Sequence, residues 1–232
     1  MSDNPESNNH GNDVKLVGYY GGDEAHALSA WTSTGSAFLY EIEKTGHPRR
    51  ARIPALLDSL AANGHHTPFE KSSLHFLVTA ETASHIHLIK HRIGVSINAE
   101  SARYKELNED KYYIPRDWPI DEQQLLDAHC EACFRRYHDC LDRLIEKGIS
   151  RKRAKESARF YLPYAAQLNF DVMFNFRSFM HFIDLRLSNH AQVEIRSIAR
   201  SMLDQIHLIP GNPFGASISA FIKAGEILKN EC

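Results

Sequence analysis

Between residues 121 and 147, Leu126, Cys130, Cys133, Tyr137, Cys140 and Leu144 follow one another at spacings of four, three, four, three and four. That rhythm draws one apolar stripe along a long helix, which Gly148 ends. It is the most strongly periodic segment of the chain, and the rest is read around it. Residues 14–20 (VKLVGYY) read as a strand closed by Gly21-Gly22, and Asp23 is placed to cap a helix running towards Tyr40. Residues 54–61 have helical spacing and stop at Asn63-Gly64. Residues 73–79 (SLHFLVT) alternate and are rich in β-formers, so they predict a strand. Residues 81–90 predict a helix with Ile86 and Ile89 on one side and His87 and His91 on another. Residues 93–118 are turn-prone and too long for a plain connector, and ordered loops of that length usually carry function.

Beyond the long helix, a basic stretch at 151–159 runs into Leu162-Pro163, where a helix stops. Residues 167–175 (QLNFDVMFN) read as a strand, and helices are expected over 177–187, 190–207 and 213–229. The fold class is therefore α+β (mixed α/β), helix-rich around a small sheet. With 232 residues and no internal repeat or long linker, one domain is expected over 13–232, preceded by a disordered polar tail at 1–12. Lys+Arg 27 against Asp+Glu 29 leaves a formal charge of −2, so no overall cationic field favours nucleic acid or anionic lipid. No apolar stretch approaches the ~20 residues of a membrane span, and the mean hydropathy of −0.41 agrees. Four cysteines are too few for a disulfide scaffold and no secretory apolar stretch follows Met1, so the expected compartment is the cytoplasm.

Cys130-x-x-Cys133 with His129, His138 and Cys140 suggests zinc, but the three cysteines lie on the apolar stripe and Cys232 is the last residue. Core packing explains them, and no metal is expected. His85-x-His87-x-x-x-His91 lacks an accompanying carboxylate or cysteine. Arg151, Lys152, Arg153 and Lys155 read as a solvated helix face rather than a phosphate site. Neither a dinucleotide-binding G-x-G-x-x-G after a strand, nor a phosphate-binding G-x-x-x-x-G-K-[ST], nor a nucleophile elbow occurs. The informative segment is KHRIGVSINAESARY at 90–104, which gathers Lys90, His91, Arg92 and Arg103 around Ser96, Asn98, Glu100 and Ser101. Arginine forks and serine hydroxyls make an anion cradle, and a phosphate-bearing ligand and an exposed polar loop both satisfy that composition.

This segment resembles the signature of the flavin-dependent thymidylate synthases, R-H-R followed by a spaced S-x-N-E-x-S-x-R-Y. Upstream, Gly64-His65-His66-Thr67-Pro68-Phe69-Glu70 is similar to the family's G-H-x-T/S-P-F-E. Downstream, Arg159-Phe160-Tyr161-Leu162-Pro163 is similar to R-x-x-L-P. Asn175-Phe176-Arg177-Ser178, Leu185-Arg186 and His190-Ala191-Gln192-Val193-Glu194-Ile195 then match N-x-R-S…L-R-x-x-x-H-A-Q-x-E-I.

The resemblance implies a mainly antiparallel sheet and an enzyme that methylates dUMP to dTMP. The one-carbon unit comes from methylenetetrahydrofolate and the hydride from FAD that NADPH reduces, with FAD held between subunits of a homotetramer. It places Thr67, Lys90, His91, Arg92, Asn175, Arg177 and His181 against FAD. Ser101, Ala102, Arg103, Arg159 and Arg186 fall where the family binds dUMP, with Lys90 assigned to both ligands and Arg186 as the activating, catalytic residue. Departures are visible: Lys90 replaces the first arginine of R-H-R, and the stretch from Arg92 to Ser101 is one residue longer than usual. Ala99 therefore stands at the usual glutamate, with Glu100 beside it as the substitute cofactor contact. His87 stands where a dUMP-contacting glutamine is common, and His181 where an asparagine is common. Two other readings of the same residues are a non-catalytic nucleotide- or RNA-binding module using the basic loop, and a zinc-stabilised helical protein.

Overall fold

The computed structural model describes residues 11–34, 49–101, 105–106 and 109–225. Ala102 and Arg103 lie outside these residues, as do the continuation of the first helix towards Tyr40 and the end of the helix expected over 213–229. Four strands, β1 (Asp13–Tyr20), β2 (Ser73–Glu81), β3 (Val95–Ala99) and β4 (Gln167–Asn175), form an antiparallel sheet in the order β1-β2-β4-β3. Eight helices accompany them among the described residues: α1 (Asp23–Thr32), α2 (Ile53–Ala62), α3 (Thr82–Leu88), α4 (Ile120–Glu146), α5 (Arg151–Ala158), α6 (Phe176–Leu187), α7 (Val193–His207) and α8 (Gly215–Lys223). None is long and apolar enough to cross a membrane. The helix-rich α+β class with a small antiparallel sheet is thus the observed one. The chain divides into two compact units, each interleaved from separate stretches, and the reading of one domain over 13–232 has to accommodate both.

Unit 1 consists of Val78–Leu88 and Asn98–Phe170 with the residues up to Asp13. The apolar stripe of α4 is its spine. Cys130 and Phe134 pack with Tyr112, Ile114 and Ala166, while Tyr137 and Leu141 pack with Ala154 and Ala158 of α5. Cys130 sits at 0% exposure, and burial pushes its thiol up to about 12, so it behaves as a small apolar side chain. The basic face of α5 is partnered: Arg151 holds Glu106 through two bonds of 2.7 and 2.9 Å, and Arg153 faces Glu156. Gly11 and Asn12, read from sequence as the end of a disordered tail, are instead tied down. Asn12 donates to Glu81 at 2.6 Å, and Gln167 donates to both the Gly11 carbonyl and the Asn12 side chain.

Unit 2 consists of Val14–Leu77, Ile89–Ile97 and Asp171–Cys232. Its centre is aromatic, with the Phe176 ring meeting Phe69, Phe214 and Phe221, and Phe69 meeting Phe221. The edge strand β1 is occupied by the Gln205 side chain of α7, which accepts from Leu16 N–H at 2.5 Å and donates to the Val14 carbonyl at 2.6 Å. Backbone groups that would otherwise be an open template are used up by one amide.

Asp23 does not cap its own helix. Gly22, at φ +118°, precedes α1 with no side-chain cap, and the Asp23 carboxylate reaches α8 instead. There it accepts from Ala216 N–H (2.9 Å), Ser217 N–H (2.8 Å) and the Ser217 hydroxyl (2.5 Å). Three bonds to one helix N-terminus outcompete a local cap, because they satisfy two backbone donors at the start of a helix whose own N-cap residue provides no side-chain cap. The Ser217 oxygen, having donated its proton to Asp23, accepts from His26 Nδ1, and His26 Nε2 accepts from the Ser72 hydroxyl. His26 is wholly buried among Phe69, Phe176 and Phe214, and burial lowers its pKa from 6.5 to about 3.

Two other elements differ from the sequence reading. β3 lies inside the stretch taken as a loop, where Val95, Ile97 and Ala99 are half-buried and Ser96 and Asn98 exposed. That alternation covers only five residues and is masked by the turn-forming Gly94. α7 starts at Val193 rather than at position 190, because Gln192 is extended (φ −58°, ψ 144°).

Because the folded state holds His26 neutral, its contribution is complete above pH 6.5 and is lost as the pH falls from 6.5 towards 3. Between pH 7 and 5 this amounts to about 2 kcal/mol of unfolding free energy. Asp23, raised by burial, shifts in the opposite sense. In urea unfolding, the stability gap between wild type and His26→Gln should therefore narrow by about that amount from pH 7 to pH 5. A gap that stays constant would show that His26 remains protonatable in the fold.

Candidate functional site

The β4–α6 junction organises the principal cavity of unit 2. Asn175 ends the strand in an extended conformation, and its side-chain oxygen accepts from Ser178 N–H at 2.8 Å, capping α6. The Asn175 backbone N–H donates to the Gly94 carbonyl at 2.8 Å. Gly94 has φ +64°, and a Cβ there would lie 2.2 Å from Asn175 Nδ2 and 2.4 Å from Ser178 Oγ. Only glycine lets the segment carrying Lys90, His91 and Arg92 approach the start of α6 this closely.

The cavity has a volume of about 760 Å³ and is lined by Lys90, His91, Arg92, Arg177, His181 and Arg186, with Asp184 as its one lining carboxylate among the described residues and Ile93, Met180 and Phe221 among its apolar walls. On α6, Arg177, His181 and Asp184 follow the spacing of one helix face. Arg177 pairs with Glu70 at 3.3 Å, so the glutamate of the 64–70 stretch neutralises one of the four cations. Arg186, in the last turn of α6, donates from Nε to His91 Nε2 at 3.0 Å. Burial lowers the Arg186 pKa, and burial together with the Arg186 and His181 charges lowers that of His91 to about 4. The imidazole is therefore neutral at pH 7, with its proton on Nδ1.

Six residues anticipated from sequence thus meet in one cavity. Asn175 is outside the lining and caps α6, beside the lining residue Ser178. Thr67 is exposed at the start of a 3-10 turn and does not line the cavity, and His87 is half-buried on α3 in unit 1.

Ser101, Arg159 and Glu100 line a second cavity, of about 280 Å³, within unit 1. Lys105, Tyr164 and Thr82 share its wall and had no distinguishing sequence signal. Glu100 is bound on three sides, accepting from Asn169 N–H (3.1 Å), the Asn169 amide (2.9 Å) and Lys105 Nζ (2.8 Å). Burial works against its charge, but the Lys105 and Asn169 bonds outweigh it and hold the carboxyl below its ordinary range. Among the described residues, no group of three or more His, Cys, Asp or Glu side chains is arranged to hold a metal ion.

Two substitutions test the junction. Asn175→Ala removes a cap and should cost about 1 kcal/mol. Gly94→Ala adds left-handed strain of about 1–2 kcal/mol to the clash with Asn175 and Ser178, so it should lower the thermal midpoint more than Asn175→Ala does.

The family described as "Thymidylate synthase complementing protein" matches residues 15–209 of this chain. A flavin-dependent thymidylate synthase of Mycobacterium avium is 32% identical over 177 residues, covering 72% of this chain and 70% of its own. One from Thermosipho africanus is 31% identical over 205 residues, covering 80% and 82%. Among solved structures, the UMP/dUMP methylase PolB of Streptomyces cacaoi bound with 5-Br dUMP is similar at a TM-score of 0.77 and 25% identity, covering 94% of this chain and 98% of that one. The same protein bound with 5-Br UMP gives 0.73 and 26%, over 93% and 96%.

Proposed function

The chain belongs to the flavin-dependent thymidylate synthase family, and from that premise we propose that it methylates dUMP to dTMP. In this reading methylenetetrahydrofolate donates the one-carbon unit, FAD is the cofactor, and NADPH is the reductant. The observation that carries it is the cationic cavity of unit 2. Lys90, Arg92, Arg177 and Arg186 against the carboxylates of Asp184 and, on Arg177, Glu70, beside Ile93, Met180 and Phe221, suit a ligand that joins a pyrophosphate to a flat apolar ring. Lys90, Arg92 and Arg177 would hold the pyrophosphate, and His91 and His181 would border the ring. Asn175 would act from below by keeping α6 in place, with Thr67 and Glu100 as the remaining cofactor residues. When bound, FAD supplies the hydride that reduces the transferred carbon.

For the nucleotide, Ser101 and Arg159 offer a hydroxyl and a guanidinium to the phosphate of dUMP. Ala102, Arg103 and His87 complete that set in the same reading, and Lys90 serves both ligands. Arg186 carries the chemistry. A guanidinium beside the uracil edge favours the form that has lost its N3 proton and stabilises the negative charge that grows towards C5. A cytoplasmic homotetramer with shared sites belongs to the same proposal. The free Cys130, Cys133 and Cys140 suit a reducing compartment. Acceptance of UMP alongside dUMP is a second reading, favoured by the similarity to a UMP/dUMP methylase.

Purified protein should be yellow, with oxidised-flavin absorbance that NADPH bleaches. With methylenetetrahydrofolate and NADPH it should convert dUMP to dTMP, and a parallel assay with UMP decides the second reading. Arg186→Ala should keep the wild-type thermal midpoint to within a few degrees yet lose at least about 10²-fold in turnover. Near-normal turnover would remove Arg186 from the chemistry. A colourless protein that takes up no FAD and binds polynucleotides with steep salt dependence would replace the enzyme by a nucleic-acid-binding module.

A further inference from the structure

We propose that His91 is a positioning residue for Arg186, its ring nitrogen Nε2 accepting the Arg186 Nε–H bond and thereby setting the plane in which the guanidinium meets the nucleotide. The inference rests on the role proposed above for Arg186 and assigns to the central histidine of the Lys90-His91-Arg92 run a task beyond bordering the flavin.

The geometry has three parts. The bond is 3.0 Å long and partly buried, and it joins residues 95 positions apart in the chain. The acceptor is itself held: the His91 ring meets Phe182 edge-on at 5.1 Å and 79°, and Phe182 is fully buried in α6. The His181 ring, one residue before Phe182 on the same helix, approaches at 6.2 Å and 67°. Two ring contacts thus bracket His91 from α6.

An arginine side chain has several rotatable bonds, and its fork recognises a planar edge only when its own plane is right. A bond at Nε fixes that plane, and Arg186 lines the cavity. Only a neutral imidazole can accept this bond, and the low His91 pKa keeps the ring in that form across the physiological range. Placed so, the histidine acts on the substrate only through the arginine.

Two substitutions separate this role from direct flavin contact. His91→Phe keeps a ring against Phe182 and removes the acceptor, while His91→Gln restores an acceptor oxygen near the position of Nε2. His91→Phe should retain the wild-type flavin absorbance per protein, lose about 10²-fold in kcat, and change KM for dUMP by no more than about threefold. His91→Gln should recover most of that loss. In 15N-labelled holoprotein at pH 7, the Arg186 Nε–H resonance, identified by its disappearance in Arg186→Lys, should vanish in His91→Phe and return in His91→Gln.

An unchanged kcat in His91→Phe overturns the proposal. So does a resonance that persists there, or a loss of flavin with full kcat in the flavin-loaded fraction. A wild-type protein that forms no dTMP sinks the functional reading instead, and the resonance then decides the His91–Arg186 contact by itself.

Discussion

The cationic cavity depends on one hydrogen bond, that between the Asn175 side chain and the Ser178 backbone N–H. It starts α6 at Phe176, directly after β4, and so sets the angular position of every residue on that helix. Arg177 lies in the first turn, His181 one turn later, and Arg186 in the last. The same cap is the floor on which Gly94 rests, and Gly94 leads back to Lys90, His91 and Arg92. The Asn175 N–H bond to the Gly94 carbonyl, allowed by a residue without a side chain, thereby helps to hold two stretches about 80 residues apart.

Gathering so many cations has a cost in repulsion and desolvation, and the structure spreads it. Arg177 is offset by Glu70. Arg186 lies at the carboxyl end of α6, where the helix dipole favours positive charge, and its near neighbour His91 is an uncharged acceptor. Unit 1 handles the reverse case in a similar way: Glu100 keeps its charge because Lys105 and Asn169 bond to it. In both cavities specific partners orient charged side chains: Glu70 for Arg177, His91 for Arg186, and Lys105 and Asn169 for Glu100.

His26 shows the other use of polar groups. Ser72, His26, Ser217 and Asp23 form a directed chain of donors and acceptors inside an aromatic core, tying α1, α8 and the start of β2 together. Every nitrogen of the ring is used, so its burial is tolerable, but only without a proton to spare. The sequence reading had Asp23 as a local cap. Nothing near residue 23 announces that its true partners are at 216 and 217.

Local periodicity determined much of this protein from sequence alone: the α4 stripe, the strands β1, β2 and β4, the helices α2, α5 and α6, and the run of charged residues from Lys90 to Arg92. These were legible because neighbours three, four or two positions apart share a face, whatever the rest of the chain does. The family blocks were legible for a different reason, since functional side chains in fixed order leave a pattern that composition does not. Tertiary structure alone decided which of those side chains meet. It set Arg186 against His91, Arg177 against Glu70 and Glu100 against Asn169, put Ser101 and Arg159 in a cavity of unit 1, and left Thr67 exposed. It also turned Asp23 from its own helix to another. Such pairings depend on distances between residues far apart in the chain, and those distances exist only once the backbone has closed its long loops.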